Sequence, residues 1–426
     1  MKLLRTVICI VGVMFTALWF SGARSAPGWE QQSPFHVYTV SSSGWGYGAA
    51  AFSPDDRLLA VIASKGFQGK EGTEITEEVQ IWDFRSGKLV AEKVLSRRPL
   101  STVTQQHPDQ GPGLYGYTHS GSELLLYRDG HLKLLDAATL DQIREIDLGM
   151  SSWPEFPPSS ASHSFLDEVA MDRNGQRVAV LLAWGTGGGG ELRVYSLSSG
   201  DLIRKWAYQD LRGKSDRSED FGGADISPDG RQVAVSIIPF GFGEGELRAS
   251  ERNVFVLNVD SGHTLASINT GYPAGEVRFA PVDPPSLLTV SADNFDRSRS
   301  REETIKVWDP QNGKLLSELA RPPQGVHFQV QVSSDGRIAM GYTGLERFTG
   351  HWWLLQEEYG FVAYNRFSLW DLRTGQIVVS SPEIPSSQSP RHFLLSPKGD
   401  VVLLYPESAG GPTLTFYEFK SGPANQ

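Results

Sequence analysis

The sequence predicts an all-β chain built as a seven-bladed β-propeller, a ring of repeated four-stranded sheets. Three observations predict it. A tight-turn pattern returns seven times at steps of 53 to 65 residues. The segment after each turn is almost wholly apolar, which calls for a strand buried on both faces rather than one. No stretch sustains a helical period of 3.6 beyond about two turns.

The turn is plainest in Ser53-Pro54-Asp55-Asp56-Arg57, Ser227-Pro228-Asp229-Gly230-Arg231, Ser333-Ser334-Asp335-Gly336-Arg337 and Ser396-Pro397-Lys398-Gly399-Asp400. Weaker copies begin at Thr118, Asp172 and Ala280. Proline presets φ, and glycine or aspartate tolerates the left-handed region, so such sequences suit tight turns between strands. The strand that follows is apolar, as in residues 58–63, 178–183 and 232–238. A third strand carries the β-favouring sets Val79-Gln80-Ile81-Trp82, Ile305-Lys306-Val307-Trp308 and Phe367-Ser368-Leu369-Trp370. It ends on a second anchor at Asp83, Asp136, Ser196, Asn258, Asp309, Asp371 or Glu418, and most of these precede a further turn such as Ser86-Gly87 or Thr374-Gly375. Aspartates at that place are expected to bond to nearby backbone.

The last unit supplies only three strands, residues 392–395, 401–405 and 413–419, while a spare strand, residues 35–40, stands before the first unit. Pairing the spare strand with the final three closes the ring and leaves no open edge.

Trp-Asp at 82–83, 308–309 and 370–371, with the upstream Ser-Pro-Asp-Gly turns, resembles the WD-repeat β-propellers. Residues 287–293, rejoined at 304–309, are the nearest single match, and the resemblance spans about residues 35 to 420. It implies a fold and no particular activity. The family's Gly-His pair is absent here.

Ahead of the propeller, Lys2 and Arg5 precede an apolar run of 15 residues, 6–20, and then Ser21-Gly22-Ala23. Positive, apolar, small is the order of a secretory signal peptide, and the run falls short of the ~20 residues of a spanning helix. The domains are then a signal peptide over 1–23, a linker over 24–34, the propeller over 35–420 and a tail over 421–426. Localisation is periplasmic or extracellular, with a membrane anchor as the alternative if the segment is retained. The lone cysteine, Cys9, lies within the apolar run, so the mature chain carries no thiol and no disulfide.

The 426 residues are 39% hydrophobic and 11% aromatic, too apolar for a disordered chain. Lys and Arg number 39 against 49 Asp and Glu, a net charge of −10 that argues against general nucleic-acid binding. Residues in excess of a minimal repeat fall on one face. The two turns of each unit are tight and share one end of the sheets. The long connections, among them 64–77, 96–113, 150–164, 207–220, 239–251, 294–303 and 341–366, share the other. Long loops on a rigid scaffold are where recognition resides.

Candidate chemistry is sparse. The glycines after Trp184, residues 185–190, lack the Lys-Ser/Thr and the helix of a phosphate loop. His107, Asp109, His163 and His351 show no metal-ligand spacing. Quinone-cofactor propeller enzymes carry a tryptophan four residues past the repeat glycine; Ala91, Arg204, Ala266, Ser317 and Val379 stand there. No catalytic residue, metal or cofactor is assigned. The candidate binding residues are Phe348, Trp352, Trp353, Tyr359 and Phe361, in the long segment 341–366, read as a hairpin extending the sixth unit. They would serve either as a small satellite core over neighbouring loops or as a binding hot spot. The expected function is a monomeric, non-enzymatic scaffold for a protein or other cell-envelope partner. The alternative is a propeller hydrolase or lactonase with its site at the central channel.

The signal-peptide reading is checked by intact mass: exported protein should begin at Arg24, and a chain that retains Lys2 and Arg5 would identify an anchor instead.

Overall fold

The structure, a computed structural model, describes residues 35–41, 46–69, 72–99, 113–149, 164–184, 190–212, 219–239, 253–271, 274–282, 285–292, 303–319, 326–334, 336–343, 364–381, 384–385, 392–405 and 413–419. These residues fold as an all-β propeller of antiparallel sheets. In chain order the first sheet runs Gly46–Phe52, Leu58–Gly69, Gly72–Asp83, Lys88–Pro99. The second runs Gly113–Tyr117, Glu123–Arg128, His131–Asp136, Gln142–Asp147, and the third Ser164–Met171, Arg177–Trp184, Gly190–Ser196, Leu202–Ala207. The fourth runs Glu219–Ile226, Gln232–Pro239, Val254–Asn258, Thr264–Ile268, and the fifth Ala274–Ala280, Ser286–Ala292, Glu303–Trp308, Leu315–Glu318. The sixth is Val326–Val332, Arg337–Thr343, Tyr364–Asp371, Gln376–Ser380, with Ile384–Pro385 paired to its third strand. The seventh is His392–Leu395, Val401–Tyr405, Thr413–Phe419, and its fourth strand is Phe35–Ser41. That strand runs antiparallel to Thr413–Phe419, with Phe35 opposite Phe419 and Ser41 opposite Thr413.

Several of the first turns are held by their own side chains. In the first sheet Ser53 Oγ accepts from Leu58 N at 2.8 Å and donates to Asp55 Oδ1 at 2.6 Å. Ser227 repeats this with Gln232 N at 2.9 Å and Asp229 Oδ1 at 2.6 Å. Asp172 substitutes a carboxylate, accepting from Gln176 N at 2.7 Å and Arg177 N at 3.0 Å. The second turn is held by the residue that ends the third strand or directly follows it. Asp83 accepts from Ser86 N at 3.0 Å, Asp309 from Gln311 N at 2.8 Å and Asp371 from Arg373 N at 2.8 Å, as their position in sequence suggested. Asp136 and Asn258 do the same in the less regular units.

The middle strands are buried on both faces. Leu59 to Ala63, Val178 to Leu182, Val233 to Val235 and Val401 to Leu404 are at most 6% exposed. Their side chains form seven apolar clusters, each between one sheet and the next in sequence, and the seventh sheet packs on the first. At that last boundary Phe84 stacks on Phe416 at 5.4 Å and takes Phe52 edge-on at 5.1 Å.

Two connections differ most from the reading of the sequence. Residues 64–77 are no loop: the second and third strands of the first sheet continue as a hairpin until Gly69 faces Gly72. Ile75 and the threonines 73 and 76 favour extended backbone, and the charges beside them obscured that signal in a search for apolar runs. Residues 207–220 contain a short helix, Tyr208–Arg212, whose Asp210 accepts from Ala207 N at 2.8 Å. Burial of Tyr208 against Phe221, at 5.7 Å between ring centres, ties it down.

A chain beginning at residue 42 should melt ~10 °C or more below one beginning at residue 24, because it bares the edge of Thr413–Phe419. Equal melting temperatures would mean that the strand contributes nothing to the propeller.

Candidate functional site

The first strand of every sheet lines one central cavity of about 640 Å³, so these are the inner strands. Its mouth at the tight-turn end is set by the second residue of each first turn, among them Pro54, His119, Arg173, Pro228, Pro281 and Pro397. At two of the positions without proline the amide reaches the next sheet: Arg173 N donates to Pro228 O at 3.1 Å and Ser334 N to Pro397 O at 2.8 Å.

A charged group sits in the wall on three adjacent inner strands. Glu168, Asp225, Glu276 and Arg278 come from the third, fourth and fifth sheets. The sequence places them by a rule not recognised at the outset. Glu168 and Glu276 each stand four residues before a turn anchor, at Asp172 and Ala280, and each directly follows a bulge in its strand. The fourth sheet has a bulge at the same place but carries Gly223 after it. A Cβ there would come within 3.2 Å of the Glu168 carboxylate. The glycine leaves the room that Glu168 fills.

Each carboxylate accepts a backbone amide of the next inner strand. Glu168 Oε2 accepts from Ala224 N at 2.6 Å, Asp225 Oδ2 from Phe279 N at 2.6 Å and Glu276 Oε2 from Val330 N at 2.8 Å. Donor and acceptor are 54 to 56 residues apart in every case, the length of one unit. An inner strand has no partner on its channel side, and its free amides need acceptors. Arg278 ties the acids together, pairing with Glu168 and, at 2.9 Å, with Glu276 Oε1.

Burial pushes the Asp225 carboxyl up to about 6 and that of Glu276 up to about 7, while Arg278 pulls both down. Burial opposes the charge on Arg278, but Glu168, Glu276 and Asp225 outweigh it and hold the guanidinium above its ordinary range. Chemically, the wall is a set of acids fixed by one cation and three amides. Among the described residues no group of three or more His, Cys, Asp or Glu is placed to hold a metal ion.

The residues singled out from the sequence, Phe348, Trp352, Trp353, Tyr359 and Phe361, lie outside the described residues, as do His107, Asp109, His163 and His351. The strands that lead into that segment are described: Gly341 faces Phe367 and Thr343 faces Asn365.

Replacing Arg278 by methionine should cost about 3 kcal/mol at pH 8, since it strands partly buried acids. Raised carboxyls contribute stability that is complete below their ordinary range near 4 and lost as pH rises through 6 to 7. The deficit of Arg278→Met against the parent should therefore shrink at pH 5. Thermal melts at both pH values check it.

No protein-family model matches the chain. No curated protein matches it in sequence. Its fold is similar to that of several solved structures, or of part of them. One is in the mitotic checkpoint complex, with TM-score 0.52 at 13% identity over 94% of this chain and 98% of that one. Another is the Cps50 (Swd1) propeller domain of Myceliophteria thermophila, with TM-score 0.53 at 11% identity over 90% of this chain and 100% of that one. A third is Raptor of Chaetomium thermophilum, with TM-score 0.51 at 10% identity over 92% of this chain and 30% of that one. At such identities the likeness is one of fold, and the fold is a β-propeller of WD-repeat type.

Proposed function

We infer that the chain is an exported binding scaffold: a single ring of seven blades, closed by Phe35–Ser41, that holds a protein partner on the face carrying the long connections. The observation that carries this reading is the difference between the two ends of the sheets. At one end the described turns are tight and interlock with their neighbours through bonds such as Arg173 N to Pro228 O. In this reading the residues beyond a minimal repeat join strand ends on the other side, where a rigid ring would present them. The channel acids support a scaffold over a channel enzyme, since they are committed to amides of adjacent strands. Solved propellers of this fold occur in protein assemblies such as the mitotic checkpoint complex.

The experiment is affinity capture from envelope extract with the chain from residue 24 as bait, beside the Trp352→Ser/Trp353→Ser variant. Retained melting temperature with loss of the captured partner supports the hot spot, where removing one such anchor costs ~2 kcal/mol or more. A large fall in melting temperature would assign the pair to structure. Undiminished capture by a folded variant would place the binding surface elsewhere.

A further inference from the structure

At the turn between the first two strands of the first sheet, Asp56 occupies the left-handed region at φ 64°. The matching residues of five other turns are Gly121, Gly175, Gly230, Gly336 and Gly399, while the match in the fifth sheet, Asp283, lies outside the described residues. A glycine sends nothing into the neighbouring sheet, whereas Asp56 sends a carboxyl. Its side chain is 3% exposed, and no donor among the described residues reaches either oxygen. The groups acting on it belong to the seventh sheet: the carboxyl of Asp400, the hydroxyl of Ser396 and the ammonium of Lys398.

Those neighbours are otherwise engaged. Ser396 donates its proton to Asp400 Oδ1 at 3.0 Å. Lys398 donates to the backbone oxygen of Asp55 at 3.2 Å. Arg85 pairs with Glu418 and stands 3.7 Å from the far oxygen of Asp400. On the turn itself Asp55 is satisfied by Ser53 and by the Arg57 amide. From the second sheet Tyr117 feels Asp55. An ionised Asp56 would thus lie buried against a like charge, with Ser396 and Lys398 offsetting only part of the cost. That is among the costliest states a side chain can take. One proton held between the two carboxyls removes both penalties, because the acid then donates to the carboxylate.

We propose that Asp56 and Asp400 share a proton across the boundary between the first and last sheets, so that this boundary tightens on acidification and loosens when the proton leaves. Burial first, and Asp400 second, push Asp56 up to about 6. The group is raised, so its stabilising contribution is complete below the ordinary carboxylate range near 4 and is lost as pH rises through about 6. Asp225 and Glu276 shift the same way, and the variants separate their effect from this one.

The full chain is compared with Asp56→Asn and Asp400→Asn; asparagine is at ease in the left-handed region and supplies an amide donor. Melting temperature is measured at pH 8 and pH 5. Hydrogen exchange is followed in residues 413–419 and, as a control, 254–258, after correction for the intrinsic pH dependence of exchange. The parent should gain ~3 °C or more over either variant between pH 8 and pH 5. Its exchange in 413–419 should slow at least ~5-fold further than theirs, with no such difference in 254–258. If both variants keep the parent's full acid gain, there is no shared proton. Should Asp56→Asn fail to fold, Asp400→Asn decides by the same measurements.

Discussion

Burial of the middle strands on both faces is the constraint on which the rest depends. A strand such as Val178 to Leu182 has no polar face to turn outward, and none of its side chains is more than 2% exposed. At ~1.5–3 kcal/mol for each large apolar side chain, a lone sheet of this composition would forgo most of its stability. Each sheet therefore needs a neighbour on both sides. A row of such sheets leaves two bare ends, and packing the last upon the first covers them, as Phe84, Phe52 and Phe416 do here.

Arranging the sheets around an axis has a cost of its own, paid at the inner strands. Their channel edges carry backbone amides with no strand to accept from them. In one sector this chain answers with acids on three successive inner strands, Glu168, Asp225 and Glu276, each bonding to the adjacent strand. Three acids so close together repel, and Arg278 offsets that repulsion. The charged wall thus follows from the ring geometry. A carboxylate that already accepts an amide and a guanidinium is poorly placed to serve as a base.

How much of this was legible in the sequence differs by element. The turns were legible because their chemistry is local: Ser53 and Ser227 make the same two bonds from the same positions in the repeat. The second anchors were legible for the same reason, down to the backbone bonds of Asp83, Asp309 and Asp371. The hairpin through residues 64–77 was misread because strands that leave the core lose the apolar signature and keep only β propensity. The channel acids were missed for a different cause. Glu168 and Arg278 meet across a separation of 110 residues, and no local pattern announces such a pair. A comparison of polar residues at equal offsets from the turn would have found Glu168 and Glu276.

The same geometry explains why the two ends of the sheets are unequal. Each first turn abuts the one before it. A Cβ on Gly175 would lie 2.9 Å from the side chain of Thr118, and one on Gly230 would lie 2.7 Å from Asp172 Oδ2. A Cβ on Gly121 would meet Pro54 at a looser 3.5 Å. An insertion in any of these turns would displace the next, and the error would travel around the wheel. Drift at this end is thereby suppressed, and even one added side chain has consequences, as Asp56 shows where the wheel returns to its start. Connections at the opposite end lie beyond the interlocked turns, so length can accumulate there without disturbing the packed strands. A fold that must hold one rim fixed is left with the other rim free to vary, and a surface that varies on a rigid base is what recognition of a partner requires.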